Sequence, residues 1–134
     1  MKLADVFNSI QSWRVLSAAK MSPAIAYKIL KYVKLVMDEH EVVEKQRVAL
    51  IYEVTGAKEG ESVKIEPGTE QFVEYITRFN EVLNTESDLP QCELSFGEVI
   101  EAVSKHNDNA LSTVDLMTLE PFFLEQRDIL PMKE

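Results

Sequence analysis

One cysteine in 134 residues leaves no partner for an intrachain disulfide, and four scattered glycines form neither a P-loop nor a dinucleotide fingerprint. The lone thiol, Cys92, fits a reducing compartment and reads as a small half-buried residue in an alternating run. No stretch of about 18 apolar residues exists, so no membrane span is expected. The opening Met1-Lys2-Leu3-Ala4-Asp5 meets an acid at once and lacks the apolar centre of a signal peptide. A cytoplasmic protein is therefore expected. Nucleophile motifs are missing as well: there is no G-x-S-x-G, and Cys92 has no obvious histidine partner. These absences disfavour an enzyme and a resident cofactor.

What the chain does contain is ordinary globular material in an uneven electrical layout. Hydrophobic residues make up 46% and charged ones 28%, within the range of folded domains, and the length suits a single domain over 1–134. The net charge is −9. Residues 1–67 carry ten Lys/Arg against nine Asp/Glu, whereas residues 68–134 carry four against fourteen. Between Val6 and Met37 there are five bases (Arg14, Lys20, Lys28, Lys31 and Lys34) and no acid. So acidic a total repels phosphates at long range and argues against direct nucleic-acid binding. It suits a surface that docks a protein, or one that imitates phosphates.

Hydrophobic spacing predicts a mainly α fold built on a long helical hairpin. Leu3, Phe7, Ile10 and Trp13 lie on one face of an N-terminal helix running to about Lys20. Ser22-Pro23 then starts a long helix over about 23–55, with proline at the first helical position. Ile29, Val33, Val36, His40, Val43, Arg47, Leu50 and Val54 alternate steps of four and three along it, which is a heptad seam and allows self-association into a homo-oligomer. Val48 to Tyr52 is apolar nearly all round, so burial on more than one side is expected there. Gly56 is placed to end the helix.

A further helix is expected over about 68–85, seamed by Phe72, Ile76, Phe79 and Leu83 and packed antiparallel on the long one. Two short strands, at about 62–66 and 91–96, are expected to pair. Short C-terminal helices complete the chain, one at Glu98–Lys105 and one capped by Ser112 and Asp115 and ended by Pro121, before Phe122, Phe123 and Leu124 dock on the core.

Few of these residues carry a chemical signal. His40 and Glu44 have the spacing of two metal ligands on one helix face, but no third ligand is fixed, and His40 reads better as a polar entry in the seam. Carboxylate pairs such as Asp38/Glu39, Glu41/Glu44, Glu98/Glu101 and Glu120/Glu125 are common in so acidic a chain, and nothing marks one as desolvated. Lys28, Lys31 and Lys34 recur every three residues beside Tyr27 and Tyr32. That pattern fits a solvated face, a protein-docking surface or a phosphate-tracking groove. Glu70, Glu74 and Glu81 share one helical face that Glu98 and Glu101 are expected to extend. These eight charged residues are the candidate partner-binding positions.

Three stretches carry a resemblance. They are the Met1-Lys2-Leu3 opening, the helix entry Met21-Ser22-Pro23 with Ala26-Tyr27-Lys28-Ile29 and the acidic run from Glu39 to Arg47, and Leu111-Ser112-Thr113-Val114-Asp115-Leu116-Met117-Thr118-Leu119-Glu120-Pro121-Phe122. Together they resemble a family of uncharacterised small proteins encoded by phages and prophages of Gram-positive bacteria. Residues 56–96 depart from it. The resemblance implies a setting, the infected bacterial cell or the virion, and no catalytic residue. The expected role is that of a non-enzymatic accessory protein binding a host or phage protein, including as an anti-defence inhibitor. The alternative is a structural or assembly component of the particle.

Overall fold

The computed structural model describes residues 1–58 and 60–124, which form six helices and two short strands. The expected N-terminal helix is two helices, α1 (Leu3–Phe7) and α2 (Ile10–Ala18). The break falls at Asn8-Ser9, where the buried Ser9 hydroxyl donates to the Val6 carbonyl at 2.8 Å. Short polar side chains that bond their own backbone in this way compete with helix continuation. The break re-aims the chain, so that Phe7 and Trp13 enter different parts of the core.

Helix α3 (Pro23–Thr55) is about 50 Å long at 1.5 Å per residue. Pro23 occupies its first turn, and Gly56 closes it in the left-handed conformation with φ +74°, where a β-carbon would be strained. Helix α4 (Glu70–Leu83) packs against it and is capped by Thr69, whose hydroxyl accepts from the Phe72 amide at 3.1 Å. The predicted hairpin is present.

The seam of α3 is consumed within the chain, and two apolar clusters share it. Ile29, Tyr32 and Val36 join the larger cluster with Val6, Trp13, Leu16, Cys92, Leu94, Val99, Val103, Leu119, Phe122 and Phe123. Val43 and Leu50 join a smaller one with Phe79, flanked by Leu3, Phe7, Tyr75, Val82 and Leu83. The end of α3 is less covered than its composition suggests. Of Val48 to Tyr52 only Leu50 is buried, while Val48 and Ala49 are exposed. The reason is positional: α4 is the main element packed there, since α2 and the rest of the larger cluster sit at the other half of α3.

The small sheet exists with a different partner. Strand β1 (Cys92–Ser95) pairs in parallel with β2 (Phe123–Leu124), and residues 62–66 form no strand. Glu61 sits beside Tyr52 at the far end of α3, whereas the segment entering β1 is tied to Tyr32. Twenty residues of helix, about 30 Å, separate those two anchors. Docking of Phe122 and Phe123 beneath Trp13 instead brings their backbone to β1. The Gln91 side-chain amide locks the contact by donating to the Pro121 and Phe123 carbonyls at 3.2 and 3.1 Å.

Both C-terminal helices begin with capping boxes. In α5 (Phe96–Ser104) Ser95 and Glu98 satisfy each other's backbone amides, and in α6 (Thr113–Leu119) Ser112 and Asp115 do the same. A 3₁₀ turn at Glu120–Phe122 follows, where Pro121 ends the α-helix. Asp115 also accepts from the Ser12 hydroxyl at 2.7 Å, tying α6 to α2. That bond, and then the Ser112 amide, hold its carboxyl below the ordinary range. Asp115→Ala is therefore expected to lower stability by about 1 kcal/mol, since it removes the N3 half of the capping box and the hydrogen bond from Ser12. A carboxyl with a depressed folded value stabilises fully above its unfolded value near pH 4 and loses that contribution as pH falls further. Urea unfolding of wild type and variant should differ at neutral pH and converge under acid; a gap unchanged at low pH would refute the charged-cap account.

Candidate functional site

The first half of α3 and the segment entering β1 enclose a groove of about 310 Å³. Its α3 wall is Lys28, Lys31, Tyr32 and Leu35, at the helical spacings of three and four that place them on one side. Its other wall is Pro90, Gln91, Cys92 and Glu93. Pro90 turns the chain toward α3, and the Tyr32 hydroxyl fixes the approach by donating to the Pro90 carbonyl at 2.5 Å. Lys28 reaches Glu93 at 3.7 Å, with both side chains largely in solvent. The Lys31 ammonium lies 5.6 Å from the centre of the Tyr27 ring, a cation–π distance.

Burial works against ionisation of Tyr32 and Cys92 in this groove. Desolvation, and secondarily the Cys92 sulfur, push the Tyr32 hydroxyl above its usual range. Desolvation likewise raises the Cys92 thiol, against weaker opposing hydrogen bonds from the Leu94 backbone. A thiol kept protonated is a poor nucleophile and a poor metal ligand. The groove can therefore hold a group by shape and charge, with cations at its rim and an apolar floor.

The charged candidates from the sequence divide into separate places. Lys28 and Lys31 share the groove, while Lys34 is exposed beyond it. Glu70, Glu74 and Glu81 are all exposed on α4, and Glu74 shares Arg78 with Glu53, an arrangement that staples α4 to the end of α3. Glu98 and Glu101 do not extend that face. They line a hollow with Ser22 and Ile25 at the start of α3, about 40 Å of helix away from Glu53. Glu98 is moreover the capping-box carboxylate of α5, accepting from the Ser95 amide at 3.0 Å, and Glu101 faces Lys105 at 3.9 Å. One continuous acidic face is thus absent.

His40 and Glu44 serve the core. The His40 ring stacks on Phe7 with centroids 5.2 Å apart. Glu44 forms a forked pair with Arg47 at 2.9 and 2.5 Å, and that hydrogen bonding holds its carboxyl below the ordinary range. Arg47 lies half-buried in the seam and also reaches the Tyr75 hydroxyl at 3.5 Å. Among the described residues no group of three His, Cys, Asp or Glu is placed to hold a metal ion, and Glu125 of the Glu120/Glu125 pair lies outside them. No described helix is long and apolar enough to cross a membrane.

Sequence reasoning found the lysines and missed the groove, because its far wall comes from residues about 60 positions downstream. It also missed an exposed apolar line on α3, Leu35 (45% exposed), Val42 (52%) and Ala49. Their spacing of seven is visible in the sequence, but the longer buried seam conceals it. Comparison of the chain with family models, curated proteins and solved structures finds no match.

Proposed function

We propose that the chain is a non-enzymatic phage accessory protein that works by binding another protein, in the groove bordered by Lys28 and Lys31. The observation that carries this reading is a pair of lysines over an apolar floor in a chain of net charge −9. Such a groove suits a segment that pairs acidic side chains with an apolar anchor, charge giving orientation and burial giving affinity. The exposed Tyr27, whose ring lies near the Lys31 ammonium, enlarges the apolar area available around it. Protonated Cys92 and Tyr32 favour holding over chemistry. The phage setting rests on the sequence resemblance, and inhibition or redirection of a host defence or nucleic-acid-processing protein is the corresponding role.

The test is affinity capture of the tagged protein from infected cells at low and moderate salt, with bound proteins identified by mass spectrometry. Reversal of Lys28 and Lys31 to Glu is expected to weaken the partner at least about tenfold, while Lys substitution of Glu70, Glu74 and Glu81 leaves it bound. The opposite pattern would move the site to α4. A second reading, a structural or assembly component of the particle, is favoured by the outward apolar line on α3. Stoichiometric recovery of the protein in purified particles would support it.

A further inference from the structure

We infer that two copies of the chain pair antiparallel through the outer face of α3, with Val42 on the two-fold axis. This goes beyond the proposed binding role and is tested on the purified chain alone, so either can fail without the other.

The core-facing side of α3 carries Ile29, Tyr32, Val36, Val43 and Leu50. Leu35, Val42 and Ala49 lie about 100° further round and leave three successive exposed steps of an apolar line. Residues seven apart drift only about 20° per step, so the line is nearly straight over about 21 Å of helix. Leu35 also lines the groove facing Pro90 and Gln91, while no described element covers Val42 or Ala49.

Size and charge along the line select a second copy and its direction. With Val42 opposite Val42, an antiparallel partner sets Leu35 against Ala49, a large side chain against a small one, at both ends of the contact. On the same flank of the helix, Asp38 then comes beside Lys45 of the second copy, and Lys45 beside its Asp38. A parallel pair would instead bring this flank against the opposite flank of the second copy, setting Asp38 beside Glu39, which like charges resist. A two-fold contact of this kind closes on itself and does not propagate.

Sedimentation equilibrium of the purified chain at low salt is expected to give a species of twice the 15.3 kDa chain mass as concentration rises, weakening with added salt. Val42→Asp should weaken association by more than about a hundredfold, since it buries unpaired like charges at the axis. Its circular dichroism should stay native, because Val42 is exposed within one chain. Asp38→Lys should also weaken pairing, and adding Lys45→Asp should restore it, a rescue specific to the antiparallel register. Under oxidation Val42→Cys should give a covalent dimer, whereas Val48→Cys, on another face, should not; Cys92 is buried and silent. A chain monomeric throughout, or a dimer indifferent to Val42→Asp, overturns the inference and leaves the line to a different protein.

Discussion

Replacing Trp13 by alanine is expected to cost about 3–5 kcal/mol, the range for truncating a buried aromatic. Domains of this size hold only about 5–15 kcal/mol in total, so the variant should stand near the edge of folding. Trp13 is fully buried, with ring centroids 5.6 Å from Tyr32, 5.3 Å from Phe122 and 5.6 Å from Phe123. It thereby joins α2, α3, the 3₁₀ turn and β2. Removing it leaves a cavity that four separately anchored elements cannot close together. Its indole N–H is buried with no acceptor among the described residues, and a buried donor left unpaired costs about 1–3 kcal/mol. Trp13→Phe should accordingly be much milder than Trp13→Ala, because it removes the orphaned donor along with part of the contact. Urea unfolding followed by far-ultraviolet circular dichroism measures both. Equal losses in the two variants would show that the N–H has a partner, and an alanine cost below about 1 kcal/mol would show that this ring is not the joint.

Phe79→Ala should cost a similar amount, about 3–5 kcal/mol, but in a different place. Phe79 is 7% exposed, meets Phe7 edge-on at 5.4 Å and stacks with Tyr75 at 5.9 Å, and completes the cluster of Val43 and Leu50. That cluster is small and distinct from the one around Trp13. The hairpin arm beyond residue 43 depends on it and on the exposed Arg78 pairs, which contribute little in water. The variant should therefore open locally before it unfolds globally. Amide hydrogen exchange is expected to quicken in α4 and the last turns of α3 and to stay slow in α2, α5 and the first half of α3. Uniform acceleration along the chain would show that the two clusters melt as one.

The Trp13 and Phe79 clusters also mark what periodicity could and could not reveal. The alternating steps of four and three from Ile29 to Leu50 determined that a long helix buries one side, and Pro23 and Gly56 set its ends through backbone geometry alone. The Ser112–Asp115 capping box and the stop at Pro121 were equally local and equally legible. Each of these depends on residues within a few positions of one another, so the sequence carries the whole interaction.

Tertiary structure decided the rest, because the deciding contacts join distant positions. Whether Asn8-Ser9 interrupts the first helix depends on Phe7 and Trp13 being drawn to different clusters. Alternation in 91–96 announced a strand but not its neighbour, which the docking of Phe122 and Phe123 selected over residues 62–66. The acids of α4 and α5 look alike in sequence, yet α3 holds them at opposite ends. Lys28 and Lys31 were plain as charges; only Pro90 and Cys92, folded against Tyr32, made them the rim of a groove. A residue's chemistry is local and can be read along the chain, but what surrounds it is set by packing between segments far apart in sequence.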